Sequence, residues 1–352
     1  MPPEPTLGWD LGGAHLKAAA VDGHGRVTMV RQVSCPLWQG VQHFHAAADE
    51  VLETVGEGGP DRHAVTLTGE LVDLFENRRE GVQRLLNALC VHLPEGALEV
   101  YGGTRGFMSP AAAARHTGDV ASANWLATAS LLALQLDDGV LVDVGSTTTD
   151  VVPFARHRVR AEGFTDHHRL RSAELVYTGV VRTPVMAMAR RVPMDGQWVP
   201  LMAEHFATAA DVYRLLGQLP ERADKLPSAD NGPKSVWASA RRLARMVGCD
   251  LEADMLDPWR AVAAHLAENQ LQVLQTACDR ALARVGLNAR APLVGAGVGR
   301  FLVRALAARL DRPYMDFCDL VVGSRQPGGD DAADCAPAVA VARLAQHPAT
   351  LP

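Results

Sequence analysis

The chain has 352 residues, 48% of them hydrophobic and 21% charged, which describes an ordinary soluble globular protein long enough to form two cores in one folded unit. A formal net charge of −6 leaves no basic stripe of the kind that tracks nucleic acid or an anionic membrane, while small anionic substrates stay open through local sites. No signal-type N-terminus and no apolar run of about 18 residues is present, so a cytoplasmic protein is expected, without membrane or nucleic-acid partners.

The first segment reads as three short strands, Leu7 to Asp10, Lys17 to Val21 and Val27 to Val33, with Asp22-Gly23-His24-Gly25 turning between the last two. Helical periodicity follows at Val41 to Val55, then a strand His63 to Thr68, a helix Arg78 to His92, a strand Leu98 to Tyr101 and an Ala-rich helix near Val120 to Leu136. The run Gly139 to Asp143 restarts this scheme as strand, Gly turn and second strand Thr149 to Phe154, an internal duplication of architecture. Pro193 to Pro200 and Pro220 to Pro233 read as surface loops, and Ala203 to Leu216, Val236 to Val247 and Trp259 to Val285 as helices. A strand Pro292 to Val294, a helix Phe301 to Leu310 and a closely packing Ala/Val helix Ala336 to Leu344 complete the chain. Two units are expected, 1–136 and 137–352, the second with a helical insertion around 200–285.

Two segments carry chemistry. Asp10-Leu11-Gly12-Gly13 and Asp143-Val144-Gly145-Ser146-Thr147-Thr148-Thr149-Asp150 each place a carboxylate at a strand end before a Gly turn. Such a carboxylate can hold Mg²⁺ directly or through water, and the turn lets phosphate oxygens reach backbone amides with no Cβ in the way. Doubled, the device predicts a two-lobed phosphate clamp, with Asp10, Asp143 and Asp150 on the metal and Ser146, Thr147 and Thr148 adding hydroxyls. Lys17 is a further phosphate candidate or simply a solvated strand residue. Gly295-Ala296-Gly297-Val298-Gly299 lies between a strand and a helix, where it either admits a diphosphate or only allows close packing; its spacing is not that of a dinucleotide fingerprint. Arg182, in a Gly- and Thr-containing loop, suits a phosphate, and Glu70 follows a buried strand toward a cleft. His167-His168 and His43-x-His45 read as exposed polar loops, Arg241-Arg242-x-x-Arg245 as the solvated face of an amphipathic helix, and the six scattered cysteines as reduced, mostly buried thiols.

Taken together these pieces resemble the sugar kinase, heat-shock and actin-like ATPase superfamily, which implies an α/β fold of two ribonuclease-H-like lobes around a central cleft. Within it, Gly8 to Ala14, Thr68-Gly69-Glu70-Leu71, Ala121 to Trp125, Asp143 to Asp150 and Thr178 to Pro184 are similar to the hydantoinase A/oxoprolinase relatives of one-carbon metabolism, in the branch that serves methanofuran biosynthesis. His15, in place of a small polar residue, and Asn231, inside an Ala-Asp-Gly run, depart from that pattern. The resemblance implies a transferase that joins an aminomethyl-furanmethyl diphosphate to the phenol of γ-glutamyltyramine and releases diphosphate. Mg²⁺ would be its cofactor. Gly12, Gly13, Lys17, Ser146, Thr147, Thr148, Gly295 and Gly297 would bind the diphosphate with Arg182, and Glu70 or Asp230 would be the base. The same clamp also suits an ATP-dependent kinase or oxoprolinase-type hydrolase, or a non-catalytic actin-like nucleotide switch. The oligomeric state stays open, a homo-oligomer included.

Overall fold

The computed structural model describes residues 3–56, 58–252, 255–323 and 329–347. The first lobe contains β1 (Thr6–Leu11), β2 (His15–Val21), β3 (Val27–Ser34), α1 (Gln42–Val55), β4 (Arg62–Leu67), α2 (Arg78–Cys90), β5 (Leu98–Tyr101), β6 (Phe107–Met108), α3 (Pro110–Ala113), α4 (Thr117–Val120) and α5 (Asn124–Gln135). The second contains β7 (Gly139–Val144), β8 (Thr149–Ala155), β9 (Arg158–Val159), α6 (Asp166–Ser172), β10 (Leu175–Val176), α7 (Val185–Met188), β11 (Arg191–Met194), β12 (Gln197–Pro200), α8 (Ala209–Leu215), α9 (Val236–Arg245), α10 (Asp257–Val285), β13 (Leu293–Ala296), α11 (Arg300–Arg309) and β14 (Tyr314–Asp316); α12 (Ala336–Gln346) follows.

The two main sheets share one plan. The first runs β3-β2-β1-β4-β5-β6 and the second β10-β8-β7-β13-β14, in each case an antiparallel hairpin extended on one side by parallel strands. These are the two ribonuclease-H-like lobes implied above, with the cleft between them. Period-2 alternation sorts β1: Leu7, Trp9 and Leu11 enter a core beneath α1 and α2, while Gly8 turns toward α12. A second core joins both sheets through α5 and α12, and a third lies beneath α8 to α11. Residues 336–346, though within the 137–352 range expected for the second unit, thus pack against β1, β2 and β4 of the first lobe. A Cβ on Gly8 would fall 1.9 Å from the Ala338 carbonyl oxygen, so the α12–β1 approach requires glycine.

Four local expectations change. Residues 193–200, expected as loop, lie in the β11–β12 ribbon, with Pro193 opposite Trp198. The helix expected from Ala203 begins only at Ala209, where Thr208 and Asp211 form a reciprocal cap. The helix expected from Val120 is broken between α4 and α5, where Ser122 takes φ +52°. His167 and His168 sit on α6, capped by Thr165, rather than in a loop. Of the six cysteines, Cys35, Cys278, Cys318 and Cys335 are buried while Cys90 and Cys249 are exposed; all are unbridged. Among the described residues no helix is long and apolar enough to cross a membrane.

Candidate active site

The β1–β2 and β7–β8 hairpins repeat each other residue for residue in geometry. Asp10 is paired with Lys17 and Leu11 with Leu16 in the first; Asp143 is paired with Asp150 and Val144 with Thr149 in the second. Each therefore turns through four residues, and each turn closes the same way: the Gly12 amide donates to His15 O at 3.1 Å, the Gly145 amide to Thr148 O at 2.9 Å. A Thr-Gly step presses on each turn. A Cβ at Gly69 would stand 3.0 Å from the Gly12 carbonyl carbon, and one at Gly179 2.6 Å from the Thr147 nitrogen. Both turns open into one cleft of about 620 Å³, whose walls include Asp10, Lys17, Asp143, Asp150, Thr148 and Arg182. A larger depression of about 840 Å³ lies beside Asp22, Thr54 and Asp61 and touches neither turn, so size alone does not mark the site.

Charge is concentrated at the cleft floor. Burial raises Asp10, opposed by Lys17 and the Thr68 hydroxyl; burial pushes Asp143 up to about 7, opposed by Lys17 and reinforced by Asp150 and Asp10. Lys17 is drawn down by burial, yet Asp10 and Asp143 hold it above its ordinary value. Two buried carboxylates crowded around one ammonium, with hard oxygen donors, suit a magnesium ion. Among the described residues no group of three or more His, Cys, Asp or Glu is arranged to hold a metal, so such an ion would share its coordination with water and substrate oxygens, as Mg²⁺ commonly does.

The expected residues divide between those the cleft gathers and those it does not. Arg182 bridges the lobes: its guanidinium lies 4.9 Å from the Trp38 ring centroid and donates to Thr147 Oγ1 at 3.3 Å. Gly13, Ser146, Thr147 and Thr148 line the cleft, as does Gly12, whose amide is already used to close its turn. Asp150 also lines it but is the counter-ion of fully buried Arg169, with Oδ1 2.8 Å from Nη1, which leaves it poorly suited to a metal. Asp230 is corrected. It does not line the cleft, and although burial would raise it, Arg242, the Gly232 amide and Ser228 hold its carboxyl far below the usual range, so it makes no base. Gly295 and Gly297 stand behind the cleft rather than on its wall. The Gly297 amide donates to Ala333 O at 2.7 Å and that of Gly299 to Val144 O at 2.8 Å. A Cβ on Gly297 (φ +78°) would meet Asp143 Oδ1 at 2.4 Å, so this turn supports Asp143 from behind.

Glu70 is buried with the cleft wall rather than exposed in it. Its Oε1 stands 2.8 Å from Ser122 Oγ, which is 3.2 Å from Asp166 Oδ2, and Arg78 pairs with Asp166. Burial raises the Glu70 carboxyl, opposed by the Ser122 hydroxyl and Arg78. Sequence reasoning named Glu70 but missed Ser122, Asp166 and Arg78, and also Trp125, whose ring carries the Arg169 guanidinium at 3.9 Å. The quartet spans four separated segments, and only the fold joins them. Ser122 and Trp125 were visible within the Ala121-to-Trp125 motif, without roles.

The fold and paired turns define a two-lobed α/β protein with the actin-like fold. Among solved structures its fold is similar to that of acetone carboxylase, an enzyme of ATP-dependent acetone carboxylation, in its nucleotide-free structure: TM-score 0.57, 11% identity, 97% of this chain and 70% of that one. The hydantoinase/oxoprolinase family model matches residues 61–320, and the chain belongs to that family. Along nearly its full length it is similar to the (4-{4-[2-(γ-L-glutamylamino)ethyl]phenoxymethyl}furan-2-yl)methanamine synthase of Methanocaldococcus jannaschii, 28% identical over 343 residues covering 97% of each chain. The synthase of the same name from Methanococcus vannielii is 30% identical over 112 residues, 32% of this chain and 50% of its own.

Proposed function

We propose that this protein is a transferase that forms an aryl ether: the phenol oxygen of γ-glutamyltyramine displaces diphosphate from an aminomethyl-furanmethyl diphosphate, as a step of methanofuran biosynthesis. The observation that carries this reading is the pair of matching hairpin turns facing one cleft, joined to whole-length similarity with a synthase whose name describes that ether. Gly13, Ser146 and Thr147 would cradle the diphosphate, with Lys17 and Arg182 opposing its charge. Asp10 and Asp143 would hold Mg²⁺, which, when bound, neutralises the leaving diphosphate. Trp38 and Tyr177, exposed on the cleft walls, supply flat apolar surface for a furan and a phenol. Departure of diphosphate leaves positive charge on the furfuryl carbon, delocalised to the ring oxygen, so positioning the phenol and accepting its proton are the remaining tasks.

The ATP-dependent reading gains less support, because the Gly295–Gly299 turn spends its Gly297 and Gly299 amides on backbone carbonyls and Arg300 beside it is held by Asp316, Asp331 and Asp334. The deciding experiment is mass spectrometry of purified protein with Mg²⁺, the furan diphosphate and γ-glutamyltyramine, beside a tube holding ATP without the diphosphate donor. Ether plus released diphosphate in the first tube is expected. ADP in the second, with no ether in the first, would replace this reading with a kinase or hydrolase.

A further inference from the structure

The proton of the phenol needs an acceptor. Of the carboxylates on the cleft lining, Asp150 serves Arg169, Asp166 pairs with Arg78, Asp10 and Asp143 face the anion site, and Asp73 stands exposed to solvent. Glu70 has the chemistry but not the access, since it is 1% exposed and absent from the cleft wall. Ser122 stands between them. It lines the cleft, and its hydroxyl reaches Glu70 Oε1 at 2.8 Å. Its backbone is held at φ +52°, a conformation that L side chains seldom adopt and that clusters at functional sites. Two acceptors face its one proton, Glu70 Oε1 at 2.8 Å and, farther off at 3.2 Å, Asp166 Oδ2, which is itself tied to Arg78. Behind it, Glu70 Oε2 is buried with no hydrogen-bond partner, and α2 pins the Glu70 backbone so closely that a Cβ on Gly81 would lie 2.3 Å from the Glu70 carbonyl oxygen.

We propose that Ser122 is a catalytic residue of ether formation, relaying the phenol proton to Glu70. This rests on the aryl-ether reading above. As the phenol oxygen's electron pair forms the bond to the furfuryl methylene carbon, the bond from that carbon to the diphosphate oxygen breaks and its pair leaves with diphosphate. The phenol proton moves to Ser122 Oγ while the Ser122 proton moves to Glu70 Oε1, so the relay ends with serine restored and Glu70 protonated. Burial, which raises Glu70, makes it a better acceptor near neutrality. Arg78 is a positioning residue: it holds the Asp166 carboxylate, the more distant acceptor, so that the nearer Glu70 Oε1 takes the serine proton.

The test compares wild type, Ser122→Ala and Glu70→Gln, using the furan diphosphate, Mg²⁺ and two acceptors: γ-glutamyltyramine and a ring-fluorinated analogue already ionised at the assay pH. With the parent phenol both variants should lose about 10²–10³-fold in ether formation, within the usual span of general acid–base catalysis. With the ionised phenol most of that loss should vanish, while affinity for the furan diphosphate stays at the wild-type level throughout. Asp143→Asn is the control that ionised phenol does not rescue. Ser122→Gly, which relieves the positive φ, should behave as Ser122→Ala does and separates loss of the hydroxyl from loss of fold. Wild-type rates in Ser122→Ala, or equal losses with both acceptors, would overturn the relay and leave the aryl-ether reading standing. A wild-type protein that makes no ether from either acceptor would overturn both.

Discussion

Asp143 and Asp150 face each other across one hairpin and are put to opposite uses. Asp143 shares the Lys17 ammonium with Asp10 and is pushed up to about 7 by burial beside other carboxylates, whereas Asp150 neutralises an arginine that is itself 1% exposed. Their substitutions should therefore separate. Asp143→Asn keeps the shape and removes the charge, so turnover should fall by about 10²-fold or more with the melting temperature maintained. Asp150→Ala strips a buried guanidinium of its counter-ion and should cost about 3–5 kcal/mol in a urea titration. Unchanged turnover in Asp143→Asn would remove that residue from the phosphate and metal site. The carboxylate-then-glycine pattern makes Asp10 and Asp143 visible in sequence because one local turn contains the whole device. Arg169 stays hidden, since its partners are Asp150 on β8, the Glu174 carbonyl and the Trp125 ring on α5, and no spacing rule connects them.

Hairpins and long periodic helices are legible because their signals are local: β1, β2, β3, α1 and α10 lie close to their expected positions. The misread elements depend on distant neighbours or on capping. Pro193 and Pro200 read as loop formers, yet both are accommodated in an isolated two-stranded ribbon, where a missing N–H disrupts no wider ladder. The Ala203 helix starts late because the Thr208–Asp211 box sets its first turn. The second phosphate turn also depends on an element beyond its own hairpin. Val180 donates to Gly145 O at 3.1 Å and Arg182 to Ser146 O at 2.8 Å, while a Cβ on Gly179 would come within 2.5 Å of the Ser146 carbonyl carbon. Backbone cannot yield as a flexible side chain does. Gly179→Ala should thus displace the turn, destabilise the fold by about 1–3 kcal/mol and weaken diphosphate binding measured by calorimetry. Wild-type stability and binding together would mean that the Thr178–Pro184 loop does not set the turn's position.

At the scale of the molecule, two similar sheets are held by one shared layer, and the alanines of α5 and α12 permit that closeness. The two-lobed plan is readable from the repeated strand–turn–strand scheme. The position of α12 is not, because a helix apolar on every side predicts burial without naming what buries it. A second link crosses the lobes farther out: the Gln32 amide on β3 donates to Asp330 Oδ2 at 2.8 Å, and Lys225 donates to Gln32 O at 2.5 Å and to Asp330 Oδ1 at 3.0 Å. Asp330 is buried, and Lys225 is its ion-pair partner. This three-group clasp joins an edge strand of the first lobe to two loops of the second, and it favours the arrangement in which both phosphate turns face one cleft. Lys225→Ala should release it, increase the radius of gyration seen by small-angle X-ray scattering, and weaken binding of the furan diphosphate by about tenfold, within the usual range of coupling free energies. Because Lys225 touches neither turn, the turns themselves should keep their structure, and saturating ligand should return the scattering profile to that of the wild type. Weaker binding with an unchanged profile would instead trace the effect to the cleft and refute the clasp as a closure device.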